Sequence, residues 1–132
     1  MPTSERPQPR LSVGFILAER FTLSAFANFV DMLRLAADDG DRSLMIRCRW
    51  RILSANGRAA RSSCGIAIEA DAPLRAPQDY DFLVVVGGLI DDSARRDGAT
   101  TRFLREAADA GVPLVGICTG AFALHRAGLM AG

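Results

Sequence analysis

Histidine is nearly absent from this 132-residue chain, with His125 the single example, and cysteine is sparse, with Cys48, Cys64 and Cys118 forming no C-x-x-C pair. A zinc site and a disulfide framework are both disfavoured by that inventory. An odd set of free thiols fits a reducing, cytoplasmic setting. Charge of either sign in excess is also missing: 16 basic and 15 acidic residues give a formal net charge of +1. No overall field therefore draws the chain to nucleic acid or to an anionic membrane. The first ten residues are polar and contain three prolines, without the apolar stretch of a secretory signal, and residues 1–10 read as a loose tail. The longest apolar runs fall far short of the roughly 18 residues of a membrane span.

What is present suits one α/β domain over residues 11–132. About half of the residues are apolar, enough for a real core at this length. Leu11 to Leu17 is a buried strand by composition, and Thr22 offers a helix N-cap. From Leu23 to Ala37, Phe26, Phe29, Val30, Leu33 and Ala37 recur at helical spacing. Ile46, Cys48, Trp50 and Ile52 alternate with Arg47, Arg49 and Arg51, the pattern of a strand with one apolar and one cationic face. The arginine row reads as a solvated face. Asn56-Gly57 is a hairpin signal, so 62–69 is expected to return antiparallel to that strand. Phe82 to Val86 is the continuous apolar run of a strand buried on both faces, leaving through Gly87-Gly88. A helix over Thr100 to Ala110 stops at Gly111, a strand follows over Val112 to Ile117, and a last helix is expected from about Thr119 to Ala127. Strand and helix in alternation predict a three-layer α/β/α sandwich around a mainly parallel, flavodoxin-like sheet.

In such a sheet, ligands bind where strands end, and Glu19, Gly87, Gly88, Cys118 and Thr119 all fall at those ends. Gly116-Ile117-Cys118-Thr119-Gly120 has the layout of a nucleophile elbow between a strand and a helix. Amides at the start of that helix would favour a thiolate at Cys118, or an anionic group bound beside it. His125 comes seven residues later, about two helical turns or ~10 Å along the axis, too far to serve as its base.

VGFILAERFTLSAFANFVDMLRLA, DFLVVVGG and VPLVGICTGAFALHRAGLMAG together resemble the ThiJ/PfpI, or class I glutamine amidotransferase-like, superfamily. Within it, R-L-A, then W-R-I-L-S, then I-C-T-G-A-F with A-G-L, are similar to the N-terminal domain of GlxA-type, AraC-family transcriptional regulators. The resemblance implies a class I glutamine amidotransferase-like fold. It also implies a homodimer, a small-molecule ligand near Cys118, and DNA contact only through a C-terminal domain outside this chain. It further implies a domain longer than 132 residues, so the chain is expected to be a fragment ending after the elbow helix. Enzymes of the superfamily place a Glu or Asp on the first helix or its approach, near the cysteine, and matching VDMLRLA onto their helix puts Ala25 at that position here. Alanine cannot act as a proton carrier, so no catalytic residue is expected, Cys118 being the candidate if there is one; the expected cofactor set is empty. Glu19, Asp91 and Asp92 are the loop carboxylates left as substitutes. The competing readings are an isocyanide hydratase-like or glyoxalase-like enzyme using Cys118, a ligand-free scaffold, and a redox sensor at the same cysteine.

Overall fold

The computed structural model describes residues 11–37, 48–87 and 98–117. In chain order the elements are β1 (Leu11–Leu17), α1 (Leu23–Ala37), β2 (Cys48–Ser54), β3 (Ala60–Arg61), β4 (Ala67–Ile68) and β5 (Ala72–Pro73). A 3-10 turn at Pro77–Asp79, β6 (Phe82–Val86), α2 (Gly98–Asp109) and β7 (Leu114–Ile117) follow. The expected tail, the start of the arginine strand, the Gly88–Asp97 loop and the last helix lie outside the described residues.

β1 is buried through its middle because it has neighbours on every side. It pairs in parallel with β2 along one edge and with β6 along the other. β5 adds beyond β2 and β7 beyond β6, all parallel, giving the order β5-β2-β1-β6-β7. The chain thus steps outward from β1 in one direction and then returns to start again from its other side. Right-handed crossovers in opposite directions must put their helices on opposite faces. The packing agrees: Phe26 of α1 shares a cluster with Val13, Phe15, Val84 and Val86, whereas Phe103, Leu104 and Ala107 of α2 pack with Ile16, Leu83 and Val85. This is the expected α/β/α sandwich, with β6 alternating Leu83 and Val85 to one side and Val84 and Val86 to the other.

The α1 side is aromatic. Phe15 meets Phe26 at 5.2 Å and Phe29 at 5.7 Å, and Phe21 meets Phe26 at 6.0 Å, all edge-to-face. Such pairs contribute about 0.5–1.5 kcal/mol each beyond area burial. α2 ends as its glycine suggests: Gly111 is left-handed at φ 80°, Gly111 N–H donates to Ala108 O, and Val112 N–H reaches back to Ala107 O. That double bond closes the helix end, with Val112 folded onto the core.

Two aspartates join strands by the same device. Asp81, just before β6, donates its N–H to Ser12 O and accepts Ser12 N–H at its carboxylate; Asp71, just before β5, does the same to Ile52. Each extends a ladder by one pseudo-pair at the strand entrance.

The hairpin expectation is corrected. Asn56-Gly57 does not turn β2 back on itself; Asn56 Oδ1 instead accepts the Arg58 N–H and the Ser54 hydroxyl in a local turn. The antiparallel hairpin is β3–β4, a separate two-stranded unit that reverses over Ser62–Ile66, with Gly65 at φ 91°. β2 runs on to Ser54, and Arg49 and Arg51 are exposed as expected while Leu53, on their face, is buried.

At Gly14 a side chain would force its neighbours to shift. A Cβ there would stand 2.6 Å from Leu83 Cδ2, 3.0 Å from Leu53 Cδ1 and 3.3 Å from Tyr80 Cδ1. Gly14→Ala is expected to destabilise the domain by about 1–3 kcal/mol through overpacking. A chemical-denaturation midpoint that does not fall in this variant would show that the sheet and its α2-side core yield there.

Candidate functional site

The crevice of a doubly wound sheet lies where the two halves diverge, at the carboxyl ends of the two strands flanking the reversal. Here those are β1 and β6. The loop after β1 is fastened to β6 on both sides of Glu19. Ala18 N–H donates to Val86 O at 3.0 Å and Thr22 N–H donates to Gly87 O at 2.9 Å. Gly87 is buried, and its own N–H donates to Ile117 O at 3.2 Å, drawing in the end of β7. Thr22 begins α1, its carbonyl accepting Phe26 N–H in the first helical bond, as its N-cap role requires.

Two of the expected site residues, Glu19 and Gly87, therefore meet at this edge, with Glu19 exposed. Gly88, Cys118 and Thr119, together with Asp91, Asp92 and His125, lie outside the described residues. β7 delivers Ile117, the residue before Cys118, to the same edge. Ala25 is half-buried against the aromatic cluster of β1 and α1. Its methyl serves packing there and supplies no proton. Among the described residues, no group of three or more His, Cys, Asp or Glu side chains could hold a metal ion. Among the same residues, no helix is long and apolar enough to cross a membrane.

Two features of this edge have no counterpart in the sequence pattern. Arg20 is left-handed, at φ 58°. A side chain in that region costs about 1–2 kcal/mol, which something else in the fold must offset. The offset comes from the hairpin: Arg20 N–H donates to Arg61 O at 2.8 Å and Ser63 N–H to Phe21 O at 2.9 Å. Phe21 is fully buried between them. No glycine or asparagine marks position 20, so the sequence carries no turn signal for it.

The second feature is Cys64 at the hairpin turn. The Ser62 hydroxyl, 3.2 Å from its sulfur, holds its pKa below the usual thiol value, helped by the Ile66 amide. Cys48 goes the other way, raised first by burial and then by the charge of Asp81.

A family model described as the DJ-1/PfpI family matches residues 12–132. The chain belongs to the DJ-1/PfpI family. This DJ-1/PfpI chain is similar to the HTH-type transcriptional regulator GbdR of Pseudomonas aeruginosa. The identity is 39% over 132 residues, covering 99% of this chain and 34% of that protein. The HTH-type transcriptional regulator CdhR of the same species is 33% identical over 118 residues, covering 89% of this chain and 34% of the relative. In three dimensions the DJ-1/PfpI domain overlays an AraC family transcriptional regulator from Pseudomonas putida. The TM-score is 0.71 at 28% identity, covering 90% of this chain and 62% of that one. The chain spans about a third of the length of these two curated relatives. The resemblance drawn from the sequence motifs, to a ThiJ/PfpI domain of AraC-type regulators, is thereby borne out.

The loop and the thiols can each be probed directly. Replacing Arg20 by glycine, which adopts the left-handed region without penalty, is expected to raise stability by about 0.5–1 kcal/mol in urea denaturation. An unchanged or lower midpoint would mean that the arginine side chain itself holds the loop. In alkylation with iodoacetamide near neutral pH, read by peptide mass, Cys64 should react well before Cys48, since the group with the lower pKa presents more thiolate. Ser62→Ala should slow Cys64 by removing the hydroxyl that stabilises its anion.

Proposed function

We propose that this DJ-1/PfpI domain is the non-catalytic sensor and dimerisation part of an AraC-type DNA-binding transcriptional regulator, taking a small metabolite at the crevice where β1 and β6 end. The observation that carries this reading is the fastening of the Glu19 loop to the β6 exit at Gly87, which preorganises the strand-end edge beside an α1 whose expected acid position is Ala25. Preorganised loops at that edge favour binding. The absence of a carboxylate at Ala25 removes the general acid that thiol chemistry would use. The names of GbdR, CdhR and the Pseudomonas putida regulator support the regulatory part of the reading. Glu19, Gly87, Gly88, Cys118 and Thr119 are the proposed ligand-binding residues, and no metal or cofactor is part of the proposal.

Occupancy reaches DNA in this reading by mass action. A ligand that binds one arrangement of a homodimer better than another shifts the population toward it, and DNA-binding helices outside this chain follow. The protein acts in the cytoplasm, where its thiols stay reduced.

The test is a thermal-shift screen of small polar metabolites on the wild type and on Cys118→Ala. A ligand at 100 times its Kd stabilises the folded form by about 2.7 kcal/mol, which moves the midpoint by several degrees in a domain of this size. The expected outcome is a hit whose shift is lost in Cys118→Ala and which is recovered chemically unchanged after incubation. Consumption of the hit by the wild type and not by the variant would replace this reading with the enzyme, using Cys118 as its nucleophile. A screen in which no compound stabilises the wild type would leave the domain as a ligand-free scaffold.

A further inference from the structure

β3 and β4 have two residues each, far too few for an isolated hairpin to hold its shape in water. What holds them is Ser62, the one buried polar side chain among the described residues, 2% exposed. Its backbone N–H donates to Ile66 O at 2.8 Å, its carbonyl accepts Gly65 N–H, and its hydroxyl oxygen accepts Ile66 N–H at 3.0 Å while touching Cys64 Sγ. Arg61 braces the same turn, its guanidinium donating to Gly65 O at 2.6 Å. The reversal is thus bonded from inside by one hydroxyl.

The outer edge of this small unit faces the β1–α1 loop. Arg61 O takes the Arg20 N–H, Phe21 O takes the Ser63 N–H, and Phe21 and Ser62 form a parallel bridge between them. These bonds fall on the stretch where Arg20 is left-handed. The bonds of Ala18 and Thr22 to β6 hold the loop only at its two ends.

We infer that the β3–β4 hairpin is a latch on the loop bearing Glu19 and Arg20, and that Ser62 is its positioning residue. The hydroxyl sets the hairpin turn, the hairpin backbone sets Arg20 and Phe21, and these set where Glu19 stands at the crevice. With the latch open, Arg20 relaxes toward an ordinary backbone region and Glu19 moves with it, while Ala18 and Thr22 stay on β6. β3 and β4 pair with each other and with no strand of the five-stranded sheet, and they touch its α1-side core only through Ala60 and Ile68, so the latch is expected to open without loosening the sheet centre at Val85. The latch's bearing on ligand recognition rests on the sensor reading above. Its mechanics do not, so a chain that binds nothing still puts the latch to the test.

The test is residue-resolved amide hydrogen exchange by NMR on the ligand-free full chain. In the wild type the Arg20 and Ser63 amides should share one level of protection, since they open together, and lie below Val85 in the sheet centre. Ser62→Ala should accelerate exchange at Arg20 and Ser63 by about tenfold, the effect of one lost buried hydrogen bond, and leave Val85 unchanged. Acceleration at Ile66 with none at Arg20 would overturn the inference. So would equal acceleration at all sites including Val85, which would make Ser62 a plain core residue. If Ser62→Ala does not fold, the wild type decides: shared protection at Arg20 and Ser63 supports the latch, and protection differing by more than about tenfold overturns it.

Discussion

Hydrogen bonding of β1 along both of its edges is the constraint from which the rest of this domain follows. A parallel strand with parallel neighbours on each side cannot be reached by a tight turn, so each neighbour must arrive by a long crossover over a face of the sheet. The crossover through α1 leads from β1 to β2 and the crossover through α2 leads the opposite way from β6 to β7, so α1 and α2 cover opposite faces, and β1 and β6 are closed in above and below. Gly14 shows how little room is left: side chains from β2, β6 and the segment before β6 converge on the space where its Cβ would be.

The same constraint makes the crevice. The helices that follow β1 and β6 lie on opposite faces, and the bonds from Ala18 and Thr22 to Val86 and Gly87 hold the loop after β1 against the end of β6. Those bonds fix the ends of the Glu19 loop without fixing its middle. The middle is held in a strained form at Arg20 by backbone atoms of a hairpin from a different part of the chain. Local strain over-determined by distant bonds keeps this edge in one shape.

Most of the architecture was legible because burial on both faces leaves a plain mark. Leu11–Leu17, apolar but for Ser12, and Phe82–Val86 read as apolar runs, α1 shows helical spacing, and Gly111 stops α2 where a left-handed residue is needed. The strand-end rule picked out Glu19 and Gly87 from those same runs. The hairpin was misplaced because Asn56-Gly57 is a statement about local turn chemistry alone, and Asn56 satisfies it with Ser54 and Arg58. The true reversal at Ser62–Ile66 depends on a buried serine hydroxyl, and no pattern of serines announces which one will be buried. β5, two residues long and ending in Pro73, is too short for any periodicity to register. Arg20 is invisible for a related reason: its conformation is imposed from outside by Arg61 and Ser63.

The pairing of Ser12 with Asp81 joins positions 69 apart in the chain, and every later contact of β6 with β1 is as remote. Contacts of that separation close late and slowly, because the loop entropy is lost before the pairing returns it. During synthesis β1 and α1 leave the ribosome with one flank of the strand unpaired and the face of Phe15, Phe26 and Phe29 only partly covered, until β6 has followed. The domain's vulnerable period therefore belongs to its first half, and a chaperone that shields apolar segments would find its binding site there.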